Sequence, residues 1–366
     1  MYEAQLPSDW RYILNDSDCT AVFCSTQAIF DKLQKDVLPS TPNVNVSICF
    51  DAPMGEPHAF QTVMDAATSD ENQSLVIPPT PEDLADLIYT SGTTGVPKGV
   101  ELTHLNFTSN VKAGSRTLVS DPRDFVRQSD RTLAFLPWAH SYGQTCELWI
   151  GMSMGASTGI CRGVPMILDD LQLVKPTVLF AVPTLYKKIY DGVHKVMETS
   201  NPIRKNLMRS AFELGRANVD AQQGLRGPLS AMERVKFNML DKLVLSKVRA
   251  RFGGNMRYGC VAGAACPTEV LNFMDSIGIP ICEGYGLTET SPIIAVNTLE
   301  NRCVGSVGRP IGGVTVYITD EEGKPLPSGE EGEICCVGPN VMRGYHNNKE
   351  ATDEVITLAP DGISRM

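Results

Sequence analysis

The sequence lacks the features that mark membrane-spanning and secreted proteins. No run approaches the roughly 20 apolar residues that a membrane-spanning helix needs, and the N-terminus lacks the basic-then-apolar order of a signal peptide. An excess of positive charge is also missing, since 32 Lys and Arg stand against 42 Asp and Glu, for a net charge of -10. An acidic chain without a basic stripe argues against nucleic-acid binding. These absences favour a soluble protein with no nucleic-acid partner.

Paired-cysteine spacing is absent as well. None of the 11 cysteines belongs to a C-x-x-C pair or a zinc pattern, and several lie in apolar runs, as Cys24 and Cys335 do. Such cysteines are predicted to be small buried hydrophobic residues in a reducing compartment. We therefore expect the protein in the cytoplasm or on the cytosolic face of an intracellular membrane, with the organelle left open.

What the sequence does contain is a segment rich in glycine and hydroxyl groups, YTSGTTGVPKGV, at Tyr89 to Val100. It follows an apolar run typical of a strand. Glycines let backbone N–H groups approach an anion, hydroxyls can donate to phosphate or bind Mg²⁺, and Lys98 adds a compact positive charge. The commonest phosphate loop is excluded because Lys98 lies between Pro97 and Gly99 rather than before Ser or Thr. The segment predicts a nucleotide-binding loop, and a flexible linker is the alternative.

Elsewhere, short β-branched runs alternate with helical stretches, which predicts an α/β fold with doubly wound, mostly parallel sheets and helices on both faces. Ligands of such sheets gather beyond the carboxyl ends of the strands. After Asn297 the chain changes to short strands with glycine-rich turns. We therefore expect an α/β core over residues 1–296 and a small β-rich subdomain over residues 297–366. The predicted strands of the core are Thr20 to Cys24, Val46 to Phe50, Leu87 to Thr90, Thr132 to Leu136, Thr177 to Val182, Arg257 to Ala262 and Pro280 to Cys282.

A second string, GYGLTETSP at Gly284 to Pro292, accompanies the glycine-rich loop. Together they resemble the signatures of adenylate-forming (AMP-binding) enzymes, the superfamily of acyl-CoA synthetases, luciferases and peptide-synthetase adenylation domains. The stretch Ser200 to Gly253 further resembles an insertion of long-chain fatty acyl-CoA synthetases, although a solvated helical hairpin without a role in specificity would look similar. Other segments of the superfamily recur in order: VAGAA at 261–265, GSVGRP at 305–310, GEI at 332–334 and MRGY at 342–345.

The resemblance implies the large N-terminal domain of these enzymes, incomplete at both ends and without the small mobile C-terminal domain. It also implies an ATP-dependent long-chain fatty acid–CoA ligase. In that chemistry the acid attacks the α-phosphorus of ATP, pyrophosphate leaves, and the thiol of coenzyme A then opens the acyl-adenylate. Fatty acid, ATP, coenzyme A and Mg²⁺ are the implied ligands. Oligomeric state and peripheral membrane contact stay open.

The resemblance also implies roles for individual residues. Thr90 and Glu289 would hold Mg²⁺, and together with His140 they are the predicted catalytic residues. Trp138, His140 and Gly143, in LPWAHSYG at 136–143, would line the carboxylate site. The predicted nucleotide-binding residues are Thr90, Ser91, Gly92, Thr93, Thr94, Gly95, Lys98, Gly263, Ala264, Ala265, Gly284, Tyr285, Gly286 and Thr288.

Two other functions compete with this interpretation. Gly151 to Gly155 matches the G-x-S-x-G elbow of serine hydrolases, with Ser153 as nucleophile. That elbow needs a strand before the serine and a helix after it, whereas here the sequence predicts the reverse order. A nucleotide-binding pseudo-enzyme is the second alternative, because the family's ribose-binding Asp should follow Asp361 and Gly362, where this chain continues with Ile363 to Met366.

Overall fold

The computed structural model describes residues 1–66, 77–91, 95–116, 126–358 and 364–365. They divide into two compact units, one of residues 1–105 and 342–359 and the other of residues 106–341 and 360–366. The strands are β1 Ala21–Cys24, β2 Val46–Cys49, β3 Leu84–Ser91, β4 Pro97–Thr103, β5 Arg131–Ala134, β6 Ser157–Ile160, β7 Val178–Ala181, β8 Tyr258–Val261, β9 Ile281–Gly286, β10 Ile293–Val296, β11 Arg309–Pro310, β12 Thr315–Thr319, β13 Glu333–Val337, β14 Gly344–Tyr345, β15 Thr357–Leu358 and β16 Ser364–Arg365.

The helices alternate with these strands along the chain. The α-helices are α1 Pro7–Asp16, α2 Gln27–Asp36, α3 Phe60–Ala66, α4 His104–Arg116, α5 Ser141–Gly143, α6 Gly151–Met154, α7 Ile167–Val174, α8 Pro183–Glu198, α9 Pro202–Gln222, α10 Ala231–Leu240, α11 Ser246–Arg249, α12 Thr268–Ser276 and α13 Lys349–Val355. Wider π-type turns cover Gln144–Ile150 and Asp241–Leu245, and 3₁₀ turns cover Leu38–Ser40, Val164–Met166, Ala250–Phe252 and Thr288–Thr290. No helix within the described ranges combines the length and the hydropathy that crossing a bilayer requires.

The first unit contains a small parallel pair and an antiparallel sheet. β1 and β2 pair in parallel, and Trp10 of α1 and Phe30 of α2 are buried in the core beside them. Helix α2 begins where the Thr26 side chain accepts the N–H of Ile29, as an N-cap threonine does. The antiparallel sheet has the order β14–β4–β3.

The second unit is built around a five-stranded sheet in the order β11–β10–β9–β8–β7. β7, β8 and β9 are parallel, whereas β10 and β11 are antiparallel additions. Residues of β7 alternate between two cores: Val178 and Phe180 pack on one face, and Leu179 and Ala181 on the other. A sheet that is apolar on both faces must be covered on both, which is the layered α/β arrangement predicted from the sequence.

The fold class is confirmed, but several strands were not predicted, among them β4 and β10. β4 follows the glycine-rich loop directly, and β10 follows the Gly284 to Pro292 string. Both pair antiparallel to the preceding strand, because the intervening turns are too short for the crossover of a dozen or more residues that parallel pairing needs. The short strands expected after Asn297 include β12 and β13, which pair antiparallel.

Two segments that the sequence singles out have a defined structure here. The charged stretch after Ser200 is helical, and Gly215 of α9 approaches the backbone of Ser276 so closely that a side chain there would collide with it. Ser153 lies in α6, after the π-type turn and before β6, and its Oγ donates to the Ile150 carbonyl at 3.0 Å. Helix before strand is the reverse of a nucleophile elbow, so the hydrolase interpretation loses its structural basis.

Candidate functional site

The predicted phosphate loop joins the antiparallel strands β3 and β4 of the first unit. In their register Thr90 lies opposite Lys98, and Ser91 lies opposite Pro97. Residues directly opposite in an antiparallel pair project to the same face of the sheet. The backbone therefore places the predicted magnesium ligand and the predicted phosphate lysine side by side. Gly92, Thr93 and Thr94, and the side chain of Ser91, lie outside the described residues.

At the C-terminal end of the loop the backbone adopts a conformation that favours glycine. Gly95 has φ of 86°, in the left-handed region where other residues are strained. Lys98 then extends its Nζ to 5.0 Å from the centroid of the Tyr345 ring, a cation–π contact. This contact holds the lysine on β4 next to the MRGY segment, which pairs with β4 as β14.

A second polar contact of this unit involves His346, which follows the MRGY segment. His346 is half-buried, and its Nδ1 lies 2.7 Å from Oε1 of Glu101 on β4. Its backbone N–H donates to the Gly99 carbonyl at 2.7 Å. The sequence places these residues about 245 positions apart, so only the pairing of β14 with β4 could have revealed their contact.

In the second unit, the LPWAHSYG segment leaves the carboxyl end of β5 and enters α5. The side chain of His140 caps this helix, since its Nδ1 accepts the N–H of Tyr142 at 3.1 Å. In a neutral imidazole that accepts at Nδ1, the hydrogen is carried by Nε2. Desolvation by surrounding protein lowers the pKa of His140 below its usual range, although the residue is exposed to solvent. His140 thus offers an Nε2–H donor without a charge.

Gly143 has a steric role in this segment. A Cβ at this position would lie 2.7 Å from the Pro137 carbonyl oxygen and 3.0 Å from Cβ of Leu136. Contacts that short force the neighbouring backbone to move. The absence of a side chain at Gly143 therefore lets the segment from Leu136 to Gly143 turn back on itself. His140 lies near the tip of this turn.

Glu147 lies within the apolar run CELWI and was not predicted from the sequence. The side chain is fully buried and accepts the backbone N–H groups of Phe135 and Leu136, the nearest at 3.2 Å. Burial raises the pKa of Glu147 to about 8, while these N–H groups and a hydrogen bond from the Trp138 side chain act in the opposite direction. Through these hydrogen bonds, Glu147 stabilises the start of the segment that carries Trp138 and His140. A carboxylate in an otherwise apolar run was the one signal available.

The GYGLTETSP string forms the end of β9, the 3₁₀ turn Thr288–Thr290 and the approach to β10. A Cβ on Gly286 would overlap the Pro292 carbonyl oxygen, so this glycine allows the strands to close. Two fully buried asparagines hold the turn: the side-chain N–H groups of Asn110 and Asn340 both donate to the carbonyls of Thr290 and Ile293. Neither asparagine was predicted from the sequence.

Hydrogen bonds join this turn to the His140 segment. Ser141 Oγ lies 3.2 Å from Thr288 Oγ1, and Thr145 Oγ1 donates to the Ser291 carbonyl at 3.2 Å. Thr288 is buried by these contacts, whereas Tyr285 and Glu289 stay half-exposed beside it. The segment predicted to line the carboxylate site and the GYGLTETSP string therefore lie next to each other in one unit.

The predicted nucleotide-binding residues Gly263, Ala264 and Ala265 lie at the same edge of the sheet. β8 is parallel to β9, with Val261 opposite Glu283, so the exposed loop Gly263 to Ala265 follows the carboxyl end of the strand next to Tyr285. Beyond the carboxyl ends of parallel strands is where ligands of such sheets bind. The second unit thus gathers Gly263, Ala264, Ala265, Gly284, Tyr285, Gly286, Thr288, Glu289, Trp138, His140 and Gly143, and the first unit carries Thr90, Ser91, Gly95 and Lys98.

Comparisons with known proteins agree with this geometry. The family model described as AMP-binding enzyme matches residues 1–346. Long chain acyl-CoA synthetase 7, peroxisomal, of Arabidopsis thaliana is 29% identical over 97% of this chain and 50% of its own length. Long-chain-fatty-acid–CoA ligase 5 of Rattus norvegicus is 32% identical over 94% of this chain and 50% of its own length. The chain spans about half the length of these curated relatives.

A solved structure supports the fold. The crystal structure of a long-chain-fatty-acid-CoA ligase from Archaeoglobus fulgidus aligns with a TM-score of 0.70 at 19% identity. The alignment covers 98% of this chain and 60% of that one. At such identity the likeness concerns the fold alone.

Proposed function

The chain belongs to the AMP-binding enzyme family, and from this we propose that it serves the ATP-dependent conversion of a long-chain fatty acid to its coenzyme A thioester. In the first step a carboxylate oxygen bonds to the α-phosphorus of ATP, and the bond from that phosphorus to pyrophosphate breaks. In the second step the sulfur of coenzyme A bonds to the acyl carbon, and AMP leaves. The long-chain acid is supported by relatives of about 30% identity that are named for it.

The observation that carries the proposal is the link between Ser141 and Thr288. It joins a segment bearing a neutral histidine donor to the turn whose sequence resembles the adenylate-binding motif. The first reaction brings one anion onto another, so donors without negative charge must surround the reacting carboxylate and phosphate. We infer that His140 Nε2–H donates to the fatty-acid carboxylate and that Thr288 lies at the α-phosphate.

The remaining nucleotide contacts follow the predicted residues. Lys98 and the loop Ser91 to Gly95 would bind the β- and γ-phosphates, and the adenine would lie between the Tyr285 ring and the loop Gly263 to Ala265. Tyr285 is half-exposed and the loop after β8 is exposed, so a base could reach both.

The donor chemistry of the two predicted ligands suits a magnesium ion. A hydroxyl from Thr90 and a carboxylate from Glu289 are hard oxygen ligands, which Mg²⁺ uses together with waters and substrate phosphates. When bound, the ion would offset negative charge on the phosphates. Within the described residues, no group of three or more His, Cys, Asp or Glu side chains could hold a metal. A magnesium site made with substrate phosphates and waters does not require such a group.

ATP–pyrophosphate exchange by the purified chain tests the proposal. Exchange that is faster with palmitate than with octanoate or acetate would support long-chain activation. We expect Glu289→Gln to abolish magnesium-dependent exchange, while the exposed control Glu331→Gln leaves it unchanged. Saturable, magnesium-dependent ATP binding without exchange for any acid would instead support the nucleotide-binding pseudo-enzyme. Labelling of Ser153 by a fluorophosphonate would support the hydrolase.

Three further expectations belong to this proposal. We propose coenzyme A as the acyl acceptor and a location in the cytoplasm or on the cytosolic face of an intracellular membrane. The division into a core of residues 1–296 and a β-rich subdomain of residues 297–366 stays a prediction.

A further inference from the structure

The helical segment of residues 231–249 packs into the second unit by one of its faces. It consists of α10, the π-type turn Asp241–Leu245 and α11. Leu240, Val244 and Val248 recur every four residues and are buried in a hydrophobic core of that unit. A helix that packs by one face normally presents polar side chains on the other. The opposite face of this segment does not follow that rule.

The face turned to solvent carries a row of large apolar side chains. Met232, Val235, Met239 and Leu243 follow one another at intervals of three or four residues, so they lie on the same side of the helix. They are 83%, 71%, 50% and 47% exposed. Single exposed apolar residues are common, but a contiguous apolar surface marks contact with another molecule or a membrane. Packing within the described part of the chain leaves this row largely uncovered.

Positive charge flanks the row. Lys236, Lys242 and Lys247 are exposed, and each lies three or four positions from a member of the row, which makes them neighbours on the helix surface. Within the described residues, none of these three lysines forms an ion pair, although other cations nearby do. The lysine charges are therefore available to an anionic partner.

The acidic residues of the segment do not offset these lysines. Glu233 pairs with Arg226 at 3.3 Å, and Asp241 pairs with Arg249 at 2.7 Å. Residues 231–250 contain five cations and two acids, for a net charge of +3, whereas the whole chain has a net charge of -10. The positive charge beside the apolar row is thus a local property of this segment and opposes the overall composition.

We propose that this face docks on an anionic membrane surface. The apolar row enters the boundary between head groups and acyl chains, and the flanking lysines contact the anionic head groups, as in helices that lie in the plane of a membrane interface. Both features select this partner. A purely acidic protein surface would match the lysines but would place charged groups against Met232 and Val235, the most exposed members of the row. The proposal goes beyond the ligase chemistry and requires neither nucleotide nor fatty acid.

Co-sedimentation with phospholipid vesicles tests the proposal on the full chain, without ATP, coenzyme A or fatty acid. The vesicles are phosphatidylcholine alone or an equimolar mixture of phosphatidylcholine and phosphatidylserine. We expect saturable binding to the mixed vesicles and at least about tenfold weaker binding to phosphatidylcholine, because each lysine near an anionic surface contributes about fivefold. High salt should release the protein, since it screens these charges. The outcome is independent of pyrophosphate exchange, so either proposal can fail alone.

Substitutions in the apolar row assign the binding to this face. Val235→Ser with Met239→Ser should weaken binding to the mixed vesicles about tenfold or more. Met54→Ser with Met64→Ser is the matched control, because both methionines are exposed and belong to the first unit. The control pair should bind like wild type. Circular dichroism checks that each variant is folded.

Substitutions of the lysines test the charge. Lys236→Gln with Lys242→Gln should weaken binding to the mixed vesicles about tenfold or more. Lys35→Gln with Lys324→Gln removes the same charge from exposed positions outside residues 231–250 and should leave binding unchanged.

Four results would overturn the proposal. Equal binding to the two kinds of vesicle, or binding to neither, would show that the face does not recognise an anionic membrane. Equal weakening by a test pair and its control would show general attraction rather than docking by this face. A dimer that the serine pair converts to a monomer, without vesicle binding, would assign the face to a second copy of the chain. Retention on a poly-glutamate resin that only the Lys236 and Lys242 variant abolishes, again without vesicle binding, would assign it to an acidic protein. If the serine pair unfolds, the lysine pair still decides the question.

Discussion

The hydroxyl oxygens of Ser141 and Thr288 lie 3.2 Å apart although the residues are separated by 147 positions in the chain. Both side chains are buried, and either hydroxyl can be the donor. This bond connects the segment that follows β5 to the turn that follows β9. It links two of the segments that the sequence marks as functional.

A double-mutant cycle should show that these two hydroxyls act together. We expect Ser141→Ala and Thr288→Val each to lower the free energy of unfolding by about 1 kcal/mol, because each leaves a buried hydroxyl without its partner. The double variant should lose less than the sum of the two. Chemical denaturation of the four proteins measures the coupling, and strictly additive losses would contradict the link.

Two substitutions at His140 should distinguish its role in capping α5 from its proposed role in substrate binding. His140→Asn keeps a side-chain acceptor for the Tyr142 N–H but loses the Nε2–H donor, whereas His140→Ala loses both. We expect the asparagine variant to unfold at nearly the wild-type temperature and the alanine variant to lose about 1 kcal/mol. Both should lower pyrophosphate exchange at least about tenfold. Wild-type exchange in a folded asparagine variant would remove His140 from the site.

Stability should depend on pH through Glu147. Burial raises its pKa from 4.5 to about 8 in the folded protein, so between these values the folded state holds a proton that the unfolded chain has released. The free energy of unfolding therefore falls as pH rises through this window. Glu147→Gln keeps a carbonyl acceptor for the N–H groups of Phe135 and Leu136 and cannot ionise.

Thermal unfolding at several pH values checks this. Relative to wild type, Glu147→Gln should gain stability between pH 5 and pH 8, by on the order of 1 kcal/mol or more at the upper end. The exposed control Glu331→Gln should follow the wild-type curve. Parallel curves for wild type and Glu147→Gln would show that Glu147 ionises normally.

The effect of a glycine-to-alanine substitution on stability should depend on the space around each glycine. Gly143→Ala and Gly286→Ala should each destabilise the protein by about 1–3 kcal/mol, since the new methyl group collides with a backbone carbonyl. Gly312→Ala is the matched control, because a Cβ there meets nothing within 4 Å. Differential scanning calorimetry compares the three. Equal tolerance at all three positions would contradict the close approaches at Gly143 and Gly286.

The local patterns of the chain were sufficient for much of this molecule. Alternating β-branched runs and helical stretches predicted β1, β2, β3, β5, β7, β8 and β9 to within a few residues, since periodicity depends on neighbouring residues alone. The loop with Lys98 and the string with Thr288 could be recognised because glycines, hydroxyls and one lysine at short spacing carry phosphate chemistry by themselves. The reversed order of helix and strand around Ser153 was also readable from neighbouring residues.

What the sequence could not determine depends on contacts between distant residues. Glu147 can hydrogen-bond to the start of the His140 segment only because α5 and the turn after it pack beneath the end of β5. Asn110 and Asn340 can hydrogen-bond to the Thr290 turn only because their helix and loop pack against it. His346 lies beside Glu101 because β14 pairs with β4, two strands that are far apart in the sequence. A side chain's burial, and with it the pKa of Glu147 or the tautomer of His140, is set by the atoms that tertiary packing places around it, and no local spacing records those atoms.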